Sequence, residues 1–369
     1  MNGGIRPLFR PEQEQIVLGY THGRAGIAAV PGSGKTYTLA HLAARLIHDH
    51  RLGPDQEVLV VTFTNTAVNS FQARIARILR ENYGLLPIGY LVRTLHGLAH
   101  DIVRERPALI GLADDFIILD ERSALEIQRD LVIQNLDEWW DRLSGYVNPG
   151  TDPKYARRQF EQELPDLIAR FIKRAKDLRR EPEYLYAALD SAGSEFDLSR
   201  FAVHIYADYQ RSLAYRGAVD FDDLVRYALD ALRLDDRFLL RLQERWPYIL
   251  EDEAQDSTYL QEQMLHLLSG NRNWVRVGDP NQAINTTFTT ANPRYLLDFL
   301  EQPGVIERPL SVSGRSAPPI VALANELVRW TVEEHPTPEL RDAFDLREEQ
   351  HIRRGWIQIT GDGDPQPNP

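Results

Sequence analysis

The chain has 369 residues, 43% hydrophobic and 26% charged, and its 42 Lys and Arg against 54 Asp and Glu give a formal net charge of −12. This composition is typical of a soluble globular protein with room for two or three domains, and no apolar run approaches the roughly 18 residues of a membrane span. The N-terminus lacks the apolar core of a secretory signal, and the lack of cysteine excludes disulfides, thiolate metal sites and cysteine nucleophiles, which fits a cytoplasmic location.

The negative charge argues against a protein that binds nucleic acid over its whole surface. Charge acts locally, however, and the segment 151–180 holds nine Lys and Arg against five Asp and Glu. Its basic stripe is interpreted either as a solvated helix face or as a set of phosphate contacts. The stripe comprises Arg170, Lys173, Arg174, Arg179 and Arg180.

Short apolar runs followed by helical periodicity fill the first hundred residues, a pattern typical of a parallel sheet with crossover helices. Residues 27–30 and 58–62 are the predicted strands, and each precedes apolar residues at helical spacing. The two predicted helix faces are Leu39, Leu42, Ala43, Leu46 and Ile47, and Val68, Phe71, Ile75, Ile78 and Leu79.

Helical spacing dominates from about residue 107 to 215, which predicts an all-helical insertion into the α/β domain. Strand-like runs return at 248–250 and 274–277, and each is followed by polar, acidic residues. The last segment, 361–369, is rich in Gly, Pro, Asp and Asn and is predicted to be disordered. The clearest apolar stripe of the insertion is Leu164, Leu167, Ile168, Phe171, Ile172, Ala175 and Leu178.

The strongest local signal is the segment 29–36, Ala-Val-Pro-Gly-Ser-Gly-Lys-Thr, between a predicted strand and a predicted helix. Its glycines let main-chain N–H groups converge on phosphate oxygens, and the helix N-terminus adds positive potential. Lys35 would reach the β- and γ-phosphates, and the Thr36 hydroxyl would ligate Mg²⁺. Ala29 stands where the pattern has its first glycine, but the context disfavours the alternative of a plain strand–helix turn with a surface lysine.

Adjacent carboxylates, Asp252 and Glu253, follow the predicted strand 248–250. In an ATPase one such carboxylate holds Mg²⁺ through its water shell, and its neighbour accepts a proton from the attacking water. The alternative is a solvated acidic turn. A phosphate loop in the same chain favours the ATPase interpretation.

Residues 252–256, Asp-Glu-Ala-Gln-Asp, resemble the DExQD box of UvrD/Rep/PcrA-type superfamily 1 DNA helicases, and further boxes follow that family's order. The resemblance covers residues 9–325 and implies an α/β fold, a RecA-like P-loop NTPase domain with an all-helical insertion subdomain. The further boxes are the Q motif at 11–13, motif Ia at 62–67, the TxH box at 94–97, an acidic-aromatic box at 220–224, motif III at 278–284 and motif IV at 310–316.

The resemblance implies that ATP and Mg²⁺ are the cofactors. Gln13 would bond the adenine edge, and Asp252 would join Thr36 in holding the metal. The implied phosphate cradle comprises Pro31, Gly32, Ser33, Gly34, Lys35 and Thr36.

Catalytic roles also follow from the resemblance. Glu253 would act as general base beside Lys35. Gln255 and Gln282 would sense the γ-phosphate and couple it to DNA, and Arg315 would stabilise charge on the transferring phosphoryl group.

For single-stranded DNA, the resemblance implies that Phe63 stacks on a base and that Asn65, Thr94 and His96 contact the strand. Phe288 lies near the family's base-stacking aromatic after motif III. Phe63 as a core aromatic and His96 as a structural histidine are the alternatives.

The sequence departs from the family pattern at several positions. Asn285 stands in place of a tyrosine after motif III, and Thr66 in place of a lysine in motif Ia. In motif IV, Gly314 replaces the tyrosine that stacks on adenine, and Ser313 replaces an asparagine. The motif IV changes remove the ring on which adenine stacks in the family, so we expect loose base selectivity.

The predicted organisation is a RecA-like domain at 1–106 and 216–308, interrupted by the insertion at 107–215. Residues 309–360 would begin a second RecA-like domain, and 361–369 a tail. After Trp330 only 39 residues remain, and none resembles motif V or VI. The expectation is therefore an N-terminal fragment, in preference to a naturally short relative, that lacks its C-terminal motor domain.

The function predicted is that of an ATP-driven DNA translocase and helicase, 3′ to 5′ by resemblance, in DNA repair or replication. The chain alone is expected to bind nucleotide weakly and to show little turnover or unwinding, since two domains must close on ATP. Two alternatives stay open: a catalytically silent DNA- or partner-binding module, and a P-loop kinase or other small-molecule NTPase.

Overall fold

The computed structural model describes residues 9–49, 52–147, 150–192, 196–283, 290–341 and 358–359. These residues belong to two compact units. Unit 1 is drawn from 1–98 and 236–369, and unit 2 is 99–235. The predicted insertion, 107–215, lies inside unit 2, whereas Phe288, Asn285 and the predicted tail lie outside the described residues.

Unit 1 is built on a six-stranded sheet in the order β3-β2-β6-β7-β1-β8, and every neighbouring pair is parallel. Its strands are β1 (Arg24–Ala28), β2 (Val58–Thr62), β3 (Tyr90–Thr94), β6 (Tyr248–Glu251), β7 (Asn273–Gly278) and β8 (Val305–Glu307). The central strands β2 and β6 are buried along their whole length, as expected for a parallel sheet covered on both faces.

Helices connect these strands, and their apolar faces close the core. In α2 (Lys35–His48), Leu39, Leu42 and Leu46 are fully buried against residues of the sheet. In α3 (Asn65–Tyr83), Phe71 and Ile75 are buried in the same cluster. The further helices are α1 (Pro11–Val17), α4 (Leu95–Glu105), which continues into unit 2, α10 (Asp236–Arg245), α11 (Tyr259–Ser269), α12 (Arg294–Leu300), α13 (Pro318–Glu334) and α14 (Pro338–Arg341). The predicted RecA-like α/β fold is confirmed.

Strand register brings the functional segments to one edge of the sheet. Thr62 pairs with Thr94, and Ala28 pairs with Gly278. The residues that follow β1 and β8 also pair, because Ala29 and Leu310 form a parallel β-bridge. Because parallel strands end at a common edge, the loops after β1, β2, β3, β6 and β7 all open there, where α/β proteins bind ligands.

Unit 2 is mainly helical, with a short parallel pair of β4 (Ile117–Ile118) and β5 (Ala218–Val219). The predicted apolar stripe lies along α6 (Pro153–Asp177), where Leu164, Ile168 and Ile172 are buried. Leu167, and Leu178 just after the helix, are each 43% exposed. Its helices are α5 (Glu121–Leu143), α6 (Pro153–Asp177), α7 (Pro182–Ala192), α8 (Asp197–Tyr215) and α9 (Phe221–Leu234).

The acidic-aromatic box at 220–224 is held in unit 2 by a buried lysine. Lys176 Nζ lies 2.5 Å from Asp220 Oδ2 and 2.8 Å from Asp223 Oδ2. Asp220 also caps α9, because its Oδ1 accepts from the Asp223 amide at 2.9 Å. Burial raises the pKa of Asp223 to about 6, whereas the Lys176 ammonium holds the pKa of Asp220 below its usual value against the effect of burial.

The remaining described strands, β9 (Val312–Ser313) and β10 (Gln358–Ile359), form a parallel pair. Over the described residues, no helix combines the length and the apolar character needed to cross a bilayer.

Candidate nucleotide site and its surroundings

The phosphate loop, residues 29–36, takes a conformation that depends on its glycines. Gly32 and Gly34 have φ of 74° and 86°, in the left-handed region that favours glycine. A Cβ at Gly34 would lie 2.7 Å from Gln13 Nε2, and one at Gly32 would lie 2.5 Å from Arg315 Cβ. The Ser33 hydroxyl is buried without a hydrogen-bond partner. The loop is therefore packed on its outer side and has the shape of an anion cradle at the start of α2.

Lys35 and Glu253 meet at this cradle although they are far apart in sequence. Lys35 Nζ lies 3.1 Å from Glu253 Oε2, and the Lys35 side chain is only 12% exposed. Glu253 has φ 55° and ψ 42°, a left-handed conformation that costs a non-glycine residue about 1–3 kcal/mol. This left-handed turn directs the Glu253 carboxylate towards Lys35. A phosphate bound by Lys35 would lie within reach of Glu253.

Asp252 is buried beside this pair, and its carboxylate is not satisfied by the protein. The residue is 6% exposed, and Oδ1 has no hydrogen-bond partner. Burial, with a smaller contribution from Glu253, raises the pKa of Asp252 to about 7, against the opposing effect of Lys35. A buried carboxylate with a free oxygen suits a cation, which would neutralise it.

The donor set fits Mg²⁺ bound mainly through phosphate and water. Throughout the described ranges, no group of three or more His, Cys, Asp or Glu side chains is arranged to hold a metal. Mg²⁺ usually takes one or two carboxylates and completes its shell with water and substrate phosphates. Asp252 supplies one such carboxylate with an unpartnered oxygen, and Thr36 is the second residue of α2, directly after Lys35.

Gln255 connects the Asp252–Glu253 turn to the loop after β7. Its Nε2 donates to Glu253 Oε2 at 2.9 Å, and its Oε1 accepts from the Asp279 amide at 3.0 Å. Gly278 permits this approach, since a Cβ there would lie 2.5 Å from Gln255 Oε1. Burial raises the pKa of Asp279 to about 6. Gln282 ends the short 3-10 turn that follows, and its main-chain amide donates to Asp279 O at 3.0 Å.

The segment 310–315 runs along the other flank of the phosphate loop. The Val30 amide donates to Leu310 O at 3.0 Å, and the Gly314 amide donates to Gly32 O at 2.9 Å. Arg315 therefore has its main chain against the loop, and its residue is exposed. Its guanidinium forms no ion pair with the described part of the chain.

The start of α1 fastens the loop to this segment. Gln13 is 4% exposed, its Nε2 donates to Ser33 O at 3.1 Å, and its Oε1 accepts from the Arg10 amide at 3.1 Å. Arg10 Nη1 donates to Val312 O at 2.6 Å, and Glu12 Oε2 accepts from the Ser311 amide at 2.8 Å. No sequence motif marks Arg10, which is only a basic residue immediately before the Q motif.

The predicted DNA-contact residues lie at the ends of β2 and β3. Phe63 is 42% exposed, which does not fit a core aromatic. Asn65 begins α3, and the Thr94 hydroxyl accepts from the Gly97 amide at 3.0 Å as a helix cap. His96 follows on α4 and is half-buried. The structure thus gathers four of the five predicted residues at one edge, while Phe288 lies outside the described residues.

The sequence profile of the UvrD/REP helicase N-terminal domain family matches residues 9–303. Among similar proteins, the ATP-dependent DNA helicase PcrA of Leuconostoc citreum is 31% identical over 318 residues, 86% of this chain and 38% of the relative. DNA helicase II of Escherichia coli (strain K12) is 30% identical over 307 residues, 82% of this chain and 38% of the relative. The chain therefore spans less than half the length of these relatives. It belongs to the UvrD/REP helicase family.

Proposed function

We propose that this member of the UvrD/REP helicase family binds ATP with Mg²⁺ at the loop 29–36 and hydrolyses it to drive movement along single-stranded DNA. The observation that carries the proposal is the meeting of Lys35 and Glu253 at 3.1 Å, next to the buried, unsatisfied carboxylate of Asp252. Phosphoryl transfer requires an ammonium group, a general base and a metal-binding carboxylate close together, and this cradle contains all three.

Each side chain has a distinct part in the proposed reaction. Lys35 binds the phosphates, and Asp252 with Thr36 holds Mg²⁺, which neutralises phosphate charge when bound. Glu253 orients the attacking water and accepts its proton. Arg315 reaches across the loop from motif IV to the phosphoryl group.

Gln255 is proposed to transmit the state of the γ-phosphate. Its amide touches Glu253 on one side and the Asp279 main chain on the other, so a shift of Glu253 changes a hydrogen bond to the loop after β7. Gln282 belongs to that same loop. This linkage supports coupling between hydrolysis and the DNA-contacting segments.

Single-stranded DNA is proposed to cross the edge formed by the ends of β2 and β3. Phe63 offers an exposed ring for a base, and Asn65, Thr94 and His96 offer polar contacts around it. Stacking on such a ring does not depend on base identity. It therefore suits a motor that must pass over any sequence.

A C-terminal motor domain is the proposed partner of this chain. Helix α13 exposes an apolar face whose members recur at helical spacing, a face that a second domain would cover. It comprises Ile320, Leu323, Leu327 and Trp330, which are between 40% and 62% exposed. Polarity 3′ to 5′, unwinding, a role in DNA repair or replication and a cytoplasmic location are proposals that rest on the family.

A catalytically silent DNA- or partner-binding module is the second candidate. It is favoured by Gly314 in place of an adenine-stacking tyrosine and by the use of the Thr94 hydroxyl as a helix cap. The Lys35–Glu253 contact opposes it, because a silent module has no need for this strained arrangement.

The two candidates are separated by titrating a fluorescent ATP analogue with Mg²⁺ into the 369-residue chain and its Lys35→Ala variant. We expect the loss of the ammonium to weaken binding by about tenfold or more, since charge-assisted bonds to phosphate contribute about 1.5–3 kcal/mol. The exposed Lys154 of α6 provides the control variant Lys154→Ala, which should bind as wild type. Equal affinity in all three proteins would support the silent module.

A further inference from the structure

Gly314 lies where a side chain would have to share space with Arg10. A Cβ at Gly314 would clash with Arg10 Nη2 and would lie 2.9 Å from Arg10 Cζ. The φ of Gly314 is outside the left-handed region, so the backbone itself accepts any residue. A side chain at position 314 would therefore have to displace the guanidinium of Arg10 from this place.

Arg10 is held in this place by main-chain oxygens. Nη1 donates to Val312 O at 2.6 Å and to Ser33 O at 3.4 Å. No ion pair to the guanidinium occurs within the described ranges, so its positive charge is not cancelled by a bonded carboxylate. The group bridges the phosphate loop and the motif IV segment as a flat cation.

The position of Arg10 relative to the carboxylates indicates what it faces. Asp252 and Glu253 follow β6, which lies on the β7 side of β1, whereas Gly314 follows β8 on the opposite side of β1. The loop 29–36 follows β1, between these two sides. A nucleoside triphosphate with its γ-phosphate at Glu253 and its other phosphates along this loop directs its base to the β8 side, where Arg10 and Gly314 lie.

We propose that the Arg10 guanidinium, in the space that Gly314 leaves open, is the surface on which the nucleotide base stacks. This inference rests on the proposed function, since it needs a nucleoside triphosphate at the loop. A planar guanidinium lies flat on an aromatic base and attracts its π face. Such a contact reads no base edge, and the Gln13 amide is already bonded to Ser33 and Arg10 main-chain atoms. ATP and GTP therefore bind within a few-fold of each other.

The test compares Mg²⁺·ATP with Mg²⁺·tripolyphosphate, which has no base, by isothermal titration. Arg10→Ala should weaken ATP binding by about threefold to thirtyfold, the range of a cation–π contact, and weaken tripolyphosphate binding much less. Arg10→Lys keeps a cation but loses the plane of the guanidinium, so it should recover only part of the ATP affinity that Arg10→Ala loses. Equal losses for both ligands, or no loss for ATP, would overturn the inference.

A double-variant cycle tests the shared space. Gly314→Tyr alone should weaken ATP binding, because the new side chain and Arg10 exclude each other. In the Arg10→Ala/Gly314→Tyr protein, the tyrosine occupies the freed space and should restore most of the affinity. An additive loss in the double variant would contradict the inference.

The same titrations distinguish this inference from the proposed function. If Lys35→Ala leaves tripolyphosphate and ATP binding unchanged, the phosphate site itself is wrong. If Lys35→Ala abolishes both while Arg10→Ala affects neither, the phosphate site stands and only the role of Arg10 fails. Retained tripolyphosphate binding also shows that the loop of each Arg10 variant is correctly folded.

Discussion

Asp252 shows how the proposed chemistry conflicts with folding at a single residue. Its carboxylate is buried with an unbonded oxygen, and burial raises its pKa to about 7. The folded protein keeps this proton up to about pH 7, while the unfolded chain loses it near pH 4. The folded state therefore binds more protons between these values, and this carboxylate lowers stability as the pH rises through that window.

Asp252→Asn removes this titration. We expect the stability of the variant relative to wild type to increase between pH 4 and pH 7 by about 2–4 kcal/mol, and to stay constant above that range. Urea unfolding of both proteins without Mg²⁺, at several pH values, measures the difference. A difference that does not change with pH would show that Asp252 titrates normally in the folded chain.

Phe63 gives the second prediction at this scale. If its exposed ring stacks on a base, Phe63→Ala should cost about 1–3 kcal/mol of single-strand affinity, measured by fluorescence anisotropy with oligo-dT at low salt. The control is Leu86→Ala, which truncates a side chain that is 73% exposed. An equal loss of single-strand affinity in the two variants would show that Phe63 does not stack on the DNA.

Individual site residues could be predicted only where they belong to a local sequence pattern. Lys35 and Glu253 were predicted because the loop 29–36 and the DExQD box are each contiguous in sequence, and the structure brings the two side chains within 3.1 Å. The role of Arg10 could not be found in that way, because it depends on Gly314, which the β1–β8 pairing brings beside the loop. The left-handed turn at Glu253 also has no signature in its residue type.

At the scale of elements, the pair β6 and β7 carries a buried ion pair beneath the site. Glu251 and Arg276 are cross-strand partners, they are 1% and 0% exposed, and Arg276 Nε lies 2.8 Å from Glu251 Oε2. The same carboxylate accepts from Ser257 Oγ at 2.7 Å and from Trp274 Nε1 at 3.1 Å. It joins both strands to the chain just after the Asp252–Asp256 turn.

Arg276→Met should destabilise the protein by about 3–5 kcal/mol, because it leaves Glu251 as an uncompensated buried charge. Adding Glu251→Leu should recover most of that loss, since an apolar pair of similar volume replaces both ions. Urea unfolding measures both steps, and the exposed Arg272 provides the control Arg272→Met. If the double variant is no more stable than Arg276→Met, the loss of stability does not come from the unpaired charge of Glu251.

The apolar pattern predicted the existence of these strands better than their limits. It placed the first strand at 27–30, whereas β1 is Arg24–Ala28. Arg24 and Gly26 pair with neighbours on both sides, and neither residue type indicates a buried strand. Glu251 and Arg276 were likewise not predicted as core residues, because charged residues are usually exposed and nothing in the local sequence shows that these two form a buried ion pair.

In the molecule as a whole, α13 exposes an apolar face, which supports the proposal that a second domain covers it. Because ATP turnover in this proposal needs that second domain, we expect the 369 residues alone to turn over ATP slowly and not to unwind DNA. Clear DNA-stimulated ATP hydrolysis by the purified chain would contradict this expectation.

Periodicity predicted the helical character of unit 2, whereas the limits of that unit, 99 and 235, depend on tertiary contacts that no local pattern contains.

The proposed site is tested by a thermodynamic cycle that combines Mg²⁺ with the Asp252→Asn substitution. The affinity for ATP is measured by isothermal titration with and without Mg²⁺, for wild type and Asp252→Asn at pH 8, where the carboxylate is ionised. We predict that Mg²⁺ strengthens ATP binding to wild type about tenfold or more and that the variant loses most of this gain while still binding ATP through Lys35. An equal gain in both proteins would show that the metal does not meet Asp252, and the proposed arrangement of cradle, cation and carboxylates would be wrong.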